Sequence, residues 1–333
     1  MMKRRDAMKV LGAATLSAGL GLERKARAAE VIKIGTLAPA ASPWGQVFKI
    51  WAEAVKKRSN EGVELQFFWN GQQGDEGAMV GKMKDGQLDG AAVTAVGLGK
   101  IHKPILALQT PGLFTTWSKL DAARDAMKGD FEKGVNDAGF SLLGWGDVGA
   151  AHVMSKGFAV KTPDDIKGKK PYMWRDDAIQ PILFQVIGGI TPVPLNIPEV
   201  LPNLNTGAID IVIAPALAAE QLQWSSKLDT IVSDNAGMAI GALVISSKRL
   251  AALSEENRNI ITETGKVAAN ALTKKIRDED AAAFARLKGK MTVVDLSGDD
   301  KAKWEATFKS TRDRLKQGTF SADLMSKLEG LAR

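Results

Sequence analysis

The 333-residue sequence contains no cysteine and only two histidines, His102 and His152. Without cysteine there is no disulfide, no thiol-linked lipid anchor and no thiolate metal site. Catalytic nucleophile–base pairs commonly use cysteine or histidine, and this sequence has none of the first and two of the second. No Gly-x-Ser-x-Gly turn, phosphate loop or calcium loop is present. The sequence therefore argues against an enzyme and predicts neither a cofactor nor a side-chain metal site. Whether a metal or a water bridges a bound ligand stays open.

Long hydrophobic runs are also missing. The longest, residues 10–22, has thirteen residues, whereas a membrane-spanning helix needs about 20. It follows a basic segment and precedes Ala26-Arg27-Ala28, which fits a small-x-small cleavage site. We therefore expect residues 1–28 to be an export signal peptide and the rest to be a periplasmic protein that does not itself span the membrane. The Arg4-Arg5 pair favours twin-arginine export, with general export as the alternative.

The formal net charge of +7 would suit a nucleic-acid or membrane partner if it were spread over the whole chain. Residues 1–28 hold seven basic and two acidic side chains, so five of the seven charges belong to the predicted signal peptide. Elsewhere basic and acidic residues alternate, as in 278–290, which is typical of a solvated helix face. We therefore expect no nucleic-acid partner.

Short apolar runs alternate with longer helical patterns, which indicates an α/β fold. The predicted strands are residues 31–37, 63–69, 91–96, 140–155, 170–174, 190–195, 209–215 and 239–246. Ser42, followed by Pro43, and Asp75 are predicted helix N-caps.

Residues 254–288 contain no proline and one internal glycine, Gly265. An unbroken helix there would be about 50 Å long, well beyond the ~30 Å diameter of one lobe. Since about 305 residues exceed what a single core serves, we predict two lobes bridged by a long brace helix. Lobe I is expected to comprise 29–150 plus about 236–270, and lobe II about 151–235 plus about 271–333.

Several motifs between residues 29 and 248 occur in a recognisable order. They lie at 32–37, 42–45, 74–76, 85–90, 142–146, 192–194 and 204–210, and the most specific is Thr-Pro-Asp-Asp-Ile-Lys-Gly-Lys-Lys at 162–170. On these motifs the chain resembles the DctP-type substrate-binding proteins of tripartite ATP-independent periplasmic (TRAP) transporters. The resemblance implies a periplasmic-binding-protein-like clamp, each lobe a mixed sheet flanked by helices. It also implies a small-molecule ligand and a small and a large integral membrane subunit as partners.

The resemblance fails at the ligand-binding positions. In the better-known branch of the family two arginines and an asparagine contact the ligand, and counting along the motifs places these positions at Met173, Ala151 and Ala214. A bidentate arginine is the strongest planar partner of a carboxylate. Its replacement by apolar residues predicts an amphipathic or apolar ligand, with a monocarboxylate head group left open.

The candidate pocket residues combine flat apolar surface with a few polar groups. They are Trp44, Thr94, Trp145, His152, Tyr172, Met173, Trp174, Arg175, Ala214, Pro215, Gln221 and Trp224. Arg175 could anchor an acidic head group or form a surface ion pair with Asp176 or Asp177, and His152 could be a packed residue.

We therefore expect a solute-binding protein that delivers its ligand to a TRAP transporter. Two alternatives share the fold. One is the ligand-binding component of a sensor or lipid-shuttling assembly, and the other is a hydrolase or lyase built on the same scaffold.

Overall fold

The computed structural model describes residues 29–333, so the predicted signal peptide lies outside the described residues. The strands are β1 (Glu30–Thr36), β2 (Val63–Phe68), β3 (Gly90–Thr94), β4 (Phe140–Ser155), β5 (Tyr172–Trp174), β6 (Val193–Leu195), β7 (Ile211–Pro215), β8 (Thr230–Ser246) and β9 (Thr292–Val294). Seven of them form a mixed sheet in the order β2-β1-β3-β8-β4-β7, with β9 beside β8, and β5 pairs with β6 separately.

Helices flank the seven-stranded sheet and the separate β5–β6 pair. They are α1 (Pro43–Arg58), α2 (Glu76–Lys84), α3 (Ala95–Ile101), α4 (Trp117–Asp137), α5 (Gln180–Ile187), α6 (Ile197–Thr206), α7 (Ala216–Gln221), α8 (Ser247–Ala251), α9 (Glu255–Lys288), α10 (Gly298–Leu315) and α11 (Ala322–Leu331). Within residues 29–333, no helix combines the length and the apolar character that crossing a membrane demands.

Two predicted helix starts are confirmed. The Ser42 hydroxyl accepts a hydrogen bond from the Gly45 N–H, and Pro43 is the first residue of α1, where its missing N–H costs nothing. The Asp75 carboxylate accepts the Glu76 N–H at the start of α2. Both side chains replace hydrogen bonds that the first turn of a helix cannot make within itself.

Two long strands join the lobes. β4 has 16 residues and β8 has 17, and they pair antiparallel from Phe140 opposite Ser246 to Ser155 opposite Thr230. β3 pairs with β8 in the first lobe, whereas β7 pairs with β4 in the second. The β4–β8 register shifts beside Gly149, so the ladder is irregular where the lobes meet.

The predicted brace helix is confirmed as α9, which has 34 residues. In the first lobe the Trp51 indole N–H of α1 donates to the Thr264 hydroxyl at 3.0 Å. In the second lobe the Leu217 N–H of α7 donates to Asp280 at 2.9 Å. α9 lies directly on β4 because Gly144 has no side chain: an added Cβ would lie 2.5 Å from the Ala269 Cβ.

The C-terminal helices contact both lobes. α10 packs against α5 of the second lobe, whereas α11 packs against α4 of the first. Met325 and Leu328 of α11 are buried in the same core cluster as Phe131 of α4. The expectation that 271–333 form part of lobe II alone therefore does not describe α11, and the remaining lobe boundaries stay a proposal.

Candidate ligand-binding cleft

A cavity of about 240 Å³ lies where four strands end. Thr36, Thr94, Trp174 and Pro215, the last residues of β1, β3, β5 and β7, all line it. In α/β folds the carboxyl ends of the strands open into the ligand-binding crevice. One water needs about 10–15 Å³ by the same measure, so the cavity has room for a small organic molecule.

Eight of the twelve predicted pocket residues line this cavity. They are Trp44, Thr94, Tyr172, Trp174, Ala214, Pro215, Gln221 and Trp224. Ala151, at which the motif count predicts an arginine position of the better-known branch, lines it as well. The structure thus brings together residues from both lobes that are far apart in the sequence.

Trp145 and His152 do not line the cavity. Trp145 packs edge-on against Phe131, with ring centroids 6.2 Å apart. His152 is buried, with its ring stacked on Phe284 at 4.1 Å and its Nδ1 3.0 Å from the Val232 carbonyl oxygen. Burial lowers the pKa of His152. The packed interpretation of His152 matches these contacts.

Met173 and Arg175 also lie off the cavity. Successive side chains of a strand point to opposite faces, so Tyr172 and Trp174 line the cavity while Met173 packs against a separate core cluster. Counting along the motifs placed a family arginine position at Met173, which does not lie on the cleft face of β5. Arg175 forms an exposed ion pair at 3.2 Å with Glu199 rather than with either predicted aspartate.

Two tryptophans that line the cavity are held in place by hydrogen bonds from their indole N–H groups. Trp44 donates to the Asp147 carbonyl oxygen at 3.3 Å, and Trp174 donates to the Asp75 carboxylate at 3.0 Å. The Tyr172 ring packs edge-on against Trp224 at 6.0 Å. These contacts fix the rings in place, so a ligand meets flat surfaces that need little rearrangement.

Asp75 also joins the two lobes across the cleft. It caps α2 in the first lobe and accepts hydrogen bonds from the Trp174 indole and, at 2.9 Å, from the Ile197 N–H in the second. Burial raises the pKa of Asp75. Lys100 and Asp176 add an ion pair of 2.9 Å between the lobes. The structure therefore has the cleft in a closed arrangement.

Among the described residues that line the cavity, none is lysine, arginine or histidine, whereas three are acidic. Glu76 is 1% exposed and accepts the Thr94 N–H, the Thr94 hydroxyl and the Gly97 N–H at 2.7–2.8 Å. Burial raises the pKa of Glu76 to about 8, although these three donors favour the ionised form.

The other two acidic residues also have partners. The Asp177 carboxylate accepts the Ile179 N–H at 2.7 Å just before α5, and burial raises the pKa of Asp177 to about 6. The Asp147 carboxylate accepts hydrogen bonds from Arg124 and Arg277, both at 2.7 Å. Asp147 is thus paired with two cations, whereas Asp177 has backbone partners only.

Polar groups without charge complete the lining. The Tyr172 hydroxyl is buried and has no hydrogen-bond partner in the described chain. The side-chain oxygens of Gln109 and Gln180 accept backbone N–H groups from Ile240 and Trp174 at 2.8 and 2.7 Å. Within residues 29–333, no cluster of acidic or histidine side chains is arranged to bind a metal ion.

Sequence reasoning missed six polar lining residues: Thr36, Glu76, Gln109, Asp147, Asp177 and Gln180. Only Thr36 and Glu76 had a usable signal, because both lie within recognised motifs. The two glutamines and Asp177 lie in loops or at element ends, where no periodic pattern shows which way a side chain points.

Comparison with known proteins gives a consistent match. The sequence profile of DctP, described as bacterial extracellular solute-binding protein, family 7, matches residues 34–317. A solute-binding protein from Chromohalobacter salexigens is 25% identical over 173 residues, which are 52% of this chain and 51% of that protein, so the match spans about half of that relative. The sialic acid-binding periplasmic protein SiaP of Vibrio cholerae is 22% identical over 80% of this chain and 82% of its own.

Solved structures share the fold over nearly the whole described chain. A TRAP periplasmic solute-binding protein from Sulfurospirillum deleyianum with bound succinate has a TM-score of 0.84 at 19% identity, covering 92% of this chain and 100% of that one. A sugar acid-binding protein from Advenella mimigardefordensis in complex with galactonate has a TM-score of 0.85 at 18% identity, covering 91% and 98%. At these identities the likeness shows the two-lobed fold.

Proposed function

Because the chain belongs to the DctP family of bacterial extracellular solute-binding proteins, we propose that it captures a small amphipathic or apolar organic molecule and delivers it to a TRAP transporter. The extracytoplasmic solute-binding role follows from family membership. The nature of the ligand, the delivery to a small and a large membrane subunit, and export by residues 1–28 through the twin-arginine route are the parts that we propose.

The lining of the cleft is the observation that carries the ligand class. Structural neighbours hold carboxylates, namely succinate and galactonate. In this chain the described cavity lining has no basic side chain, and Ala151 and Ala214 line it where the better-known branch has an arginine and an asparagine. A carboxylate without a cationic partner loses its strongest hydrogen bonds on leaving water. The aromatic walls instead favour burial of apolar surface.

The contacts between the lobes suggest how capture works. In an open cleft the Trp174 indole and the Asp75 carboxylate would both face water. A ligand seated against Trp174 and Trp44 favours closure, because it contacts both walls only in the closed form. Closure then forms the 3.0 Å hydrogen bond between Trp174 and Asp75, and the membrane subunits recognise the closed protein. No covalent step is required.

Native mass spectrometry of the exported protein, purified gently, tests the ligand class. We expect an organic mass that stays with the folded protein and is released on denaturation, and whose fragmentation shows no carboxylic acid. If the protein arrives empty, a thermal-shift screen follows, since a ligand at 100 times its Kd stabilises by about 2.7 kcal/mol. Binding of small carboxylates alone would refute the proposed ligand class while leaving the solute-binding role intact.

A further inference from the structure

The described lining of the cavity has an excess of acidic side chains. It contains Glu76, Asp147 and Asp177 but no lysine, arginine or histidine. Two arginines balance the charge of Asp147. Among residues 29–333, the hydrogen-bond partners of Glu76 and Asp177 are backbone N–H groups and the Thr94 hydroxyl. Uncharged donors stabilise a carboxylate but leave its net charge in place. The cavity therefore has carboxylates without a balancing cation.

A further carboxylate lies close behind the wall. Asp75 accepts hydrogen bonds from three uncharged donors, one of which is the Trp174 indole N–H. Burial raises the pKa of Tyr172, a lining residue, well above its usual value, and the charges of Asp75, Asp177 and Glu76 raise it further. Charges in a protein interior act more strongly on each other than they do in water. This side of the cleft is therefore electronegative.

Asp177 is the carboxylate of the lining that a ligand reaches. It is half-buried, whereas Glu76 is 1% exposed and Asp147 is 0% exposed. Burial nevertheless raises the pKa of Asp177 to about 6. Its carboxyl group thus lies within the molecule, and its accessible surface opens into the cavity that it lines. A carboxylate has about four lone-pair sites, so acceptor capacity remains beside the 2.7 Å hydrogen bond from the Ile179 N–H.

Aromatic side chains lie next to this carboxylate. Trp44, Trp174 and Trp224 line the same cavity. The Asp177 N–H donates to the Trp174 carbonyl oxygen at 3.0 Å, so one turn of the chain holds the carboxylate and the indole together. Indole rings attract cations, and the attraction is stronger when the cation has lost its water. A carboxylate beside tryptophans in an enclosed cleft therefore suits a positively charged group.

We infer that the ligand is an organic cation, with an ammonium group beside Asp177 and an apolar body against Trp44 and Trp174. The carboxylate offsets the cost of removing the ammonium group from water, and a ligand carboxylate in the same place would be repelled. This inference rests on the proposed solute-binding function. It narrows the ligand class from amphipathic or apolar to amphipathic with a positively charged head group.

Isothermal titration of the exported, ligand-free protein with a matched panel tests the charge preference. Benzyl, cyclohexylmethyl and pentyl frames are each presented as a primary ammonium compound, as the alcohol of nearly the same shape, and as a carboxylate. On at least one frame the ammonium compound should bind ten times or more tighter than the alcohol. A preference below tenfold on every frame, or no binding of any ammonium compound, overturns the inference but not the proposed function. A carboxylate that binds best overturns the inference and the proposed ligand class together.

Asp177→Asn tests the contact itself, because asparagine keeps the shape and an oxygen that accepts the Ile179 N–H but removes the charge. Affinity for the best ammonium compound should fall about tenfold or more, since a charge-assisted hydrogen bond is lost. Affinity for the alcohol of the same frame should not change, which also shows that the cleft of the variant is folded.

The matched control is Asp125→Asn, which removes the same charge from an exposed position on α4. It should leave both affinities as they are, because an exposed charge is screened by water and salt. An equal loss for the ammonium compound and the alcohol in Asp177→Asn would assign Asp177 to the shape of the pocket and contradict the inference. An equal loss of ammonium affinity in the two variants would trace the preference to overall charge and contradict it as well.

Discussion

Asp147 is buried and Asp177 is half-buried. Both carboxylates lie beside the cleft, yet their hydrogen-bond partners differ. Asp147 bonds two arginines, Arg124 and Arg277, which also share Asp121. These four residues, here called the hinge network, tie α4, β4 and α9 together. Asp177 has no basic partner in the described chain and faces the N-terminus of α5 instead.

The difference shows where this protein uses its arginines. The hinge network is next to the cleft, and aromatic rings cover it: Trp117 lies 4.4 Å from the Arg277 guanidinium and Trp145 lies 5.5 Å from that of Arg124. These cations are held by protein carboxylates and fix the joint between the lobes. At the cleft wall Asp177 and Glu76 instead accept hydrogen bonds from backbone N–H groups.

Breaking the hinge network should have the largest effect. Asp147→Asn leaves two arginines facing a neutral side chain in a site where the aspartate is fully buried. We expect the free energy of unfolding to fall by about 3–5 kcal/mol, measured by urea denaturation. The control is Asp278→Asn, which removes an exposed helix pair with Lys274 and should cost less than about 1 kcal/mol. Equal effects of the two substitutions would show that the network adds no special stability.

Adding a cation to the cleft should reverse its preference. Ala151 lines the cavity beside Pro215 of β7, so Ala151→Arg introduces the charge that the wall lacks. Affinity for succinate or galactonate, measured by calorimetry, should rise about tenfold or more, which is about 1.4 kcal/mol. Ala126→Arg adds the same charge on an exposed part of α4 and serves as the control. No gain in the cleft variant would mean that the missing arginine does not set the preference.

The pH dependence should distinguish the two kinds of carboxylate. Burial raises the pKa of Asp280 to about 6 and of Glu76 to about 8, both above the unfolded values. A carboxyl group whose pKa is higher in the folded than in the unfolded state stabilises the protein at a pH below the unfolded-state pKa. This contribution is lost as the pH rises through the folded-state pKa. Stability should therefore decrease between pH 5 and pH 8, by up to about 1.4 kcal/mol per pH unit for each such carboxyl group.

The hinge carboxylate Asp121 acts in the opposite direction at lower pH. Burial works to raise the pKa of Asp121, but hydrogen bonds from Arg277 and Arg124 lower it overall. The stabilising contribution of Asp121 is present above its unfolded-state pKa. It is lost as the pH falls through its lower folded-state pKa. Melting curves from pH 3 to 9 should thus show a maximum near pH 5. Asp280→Asn should flatten the slope between pH 5 and 7, and an unchanged slope would contradict the assignment.

Local pattern was sufficient for much of the fold. Ser42, Asp75 and the proline-free stretch after Ser254 identified two helix starts and the brace helix, because capping and helix propensity act over a few residues. The first half of β8 was missed because Asp234, Asn235 and Gly237 interrupt its apolar run. α4 and α11 were not predicted at all, since their stability depends on packing against each other and the sheet.

The cleft was predicted less completely than the fold. At β5 the sequence Tyr-Met-Trp has no polar alternation, so it could not indicate that residues 172 and 174 share the cleft face while Met173 faces away. For the same reason, His152, next to Ala151 on β4, was predicted to face the cleft but does not line it. The orientation of a short apolar strand is decided by the sheet that it joins.

By itself, the sequence determined the α/β layering, the bridging helix and the family, because each depends on local period or on motif order. The loss of family ligand contacts at Ala151 and Ala214 stays a prediction. Only the tertiary structure decided which groups meet. Asp75 and Trp174 are 99 positions apart, yet they share a hydrogen bond across the cleft. The tertiary structure also decided that Asp280 of α9 accepts the Leu217 N–H of α7 and that the Tyr172 hydroxyl has no partner among the described residues, since polar groups act on their neighbours in space rather than along the chain.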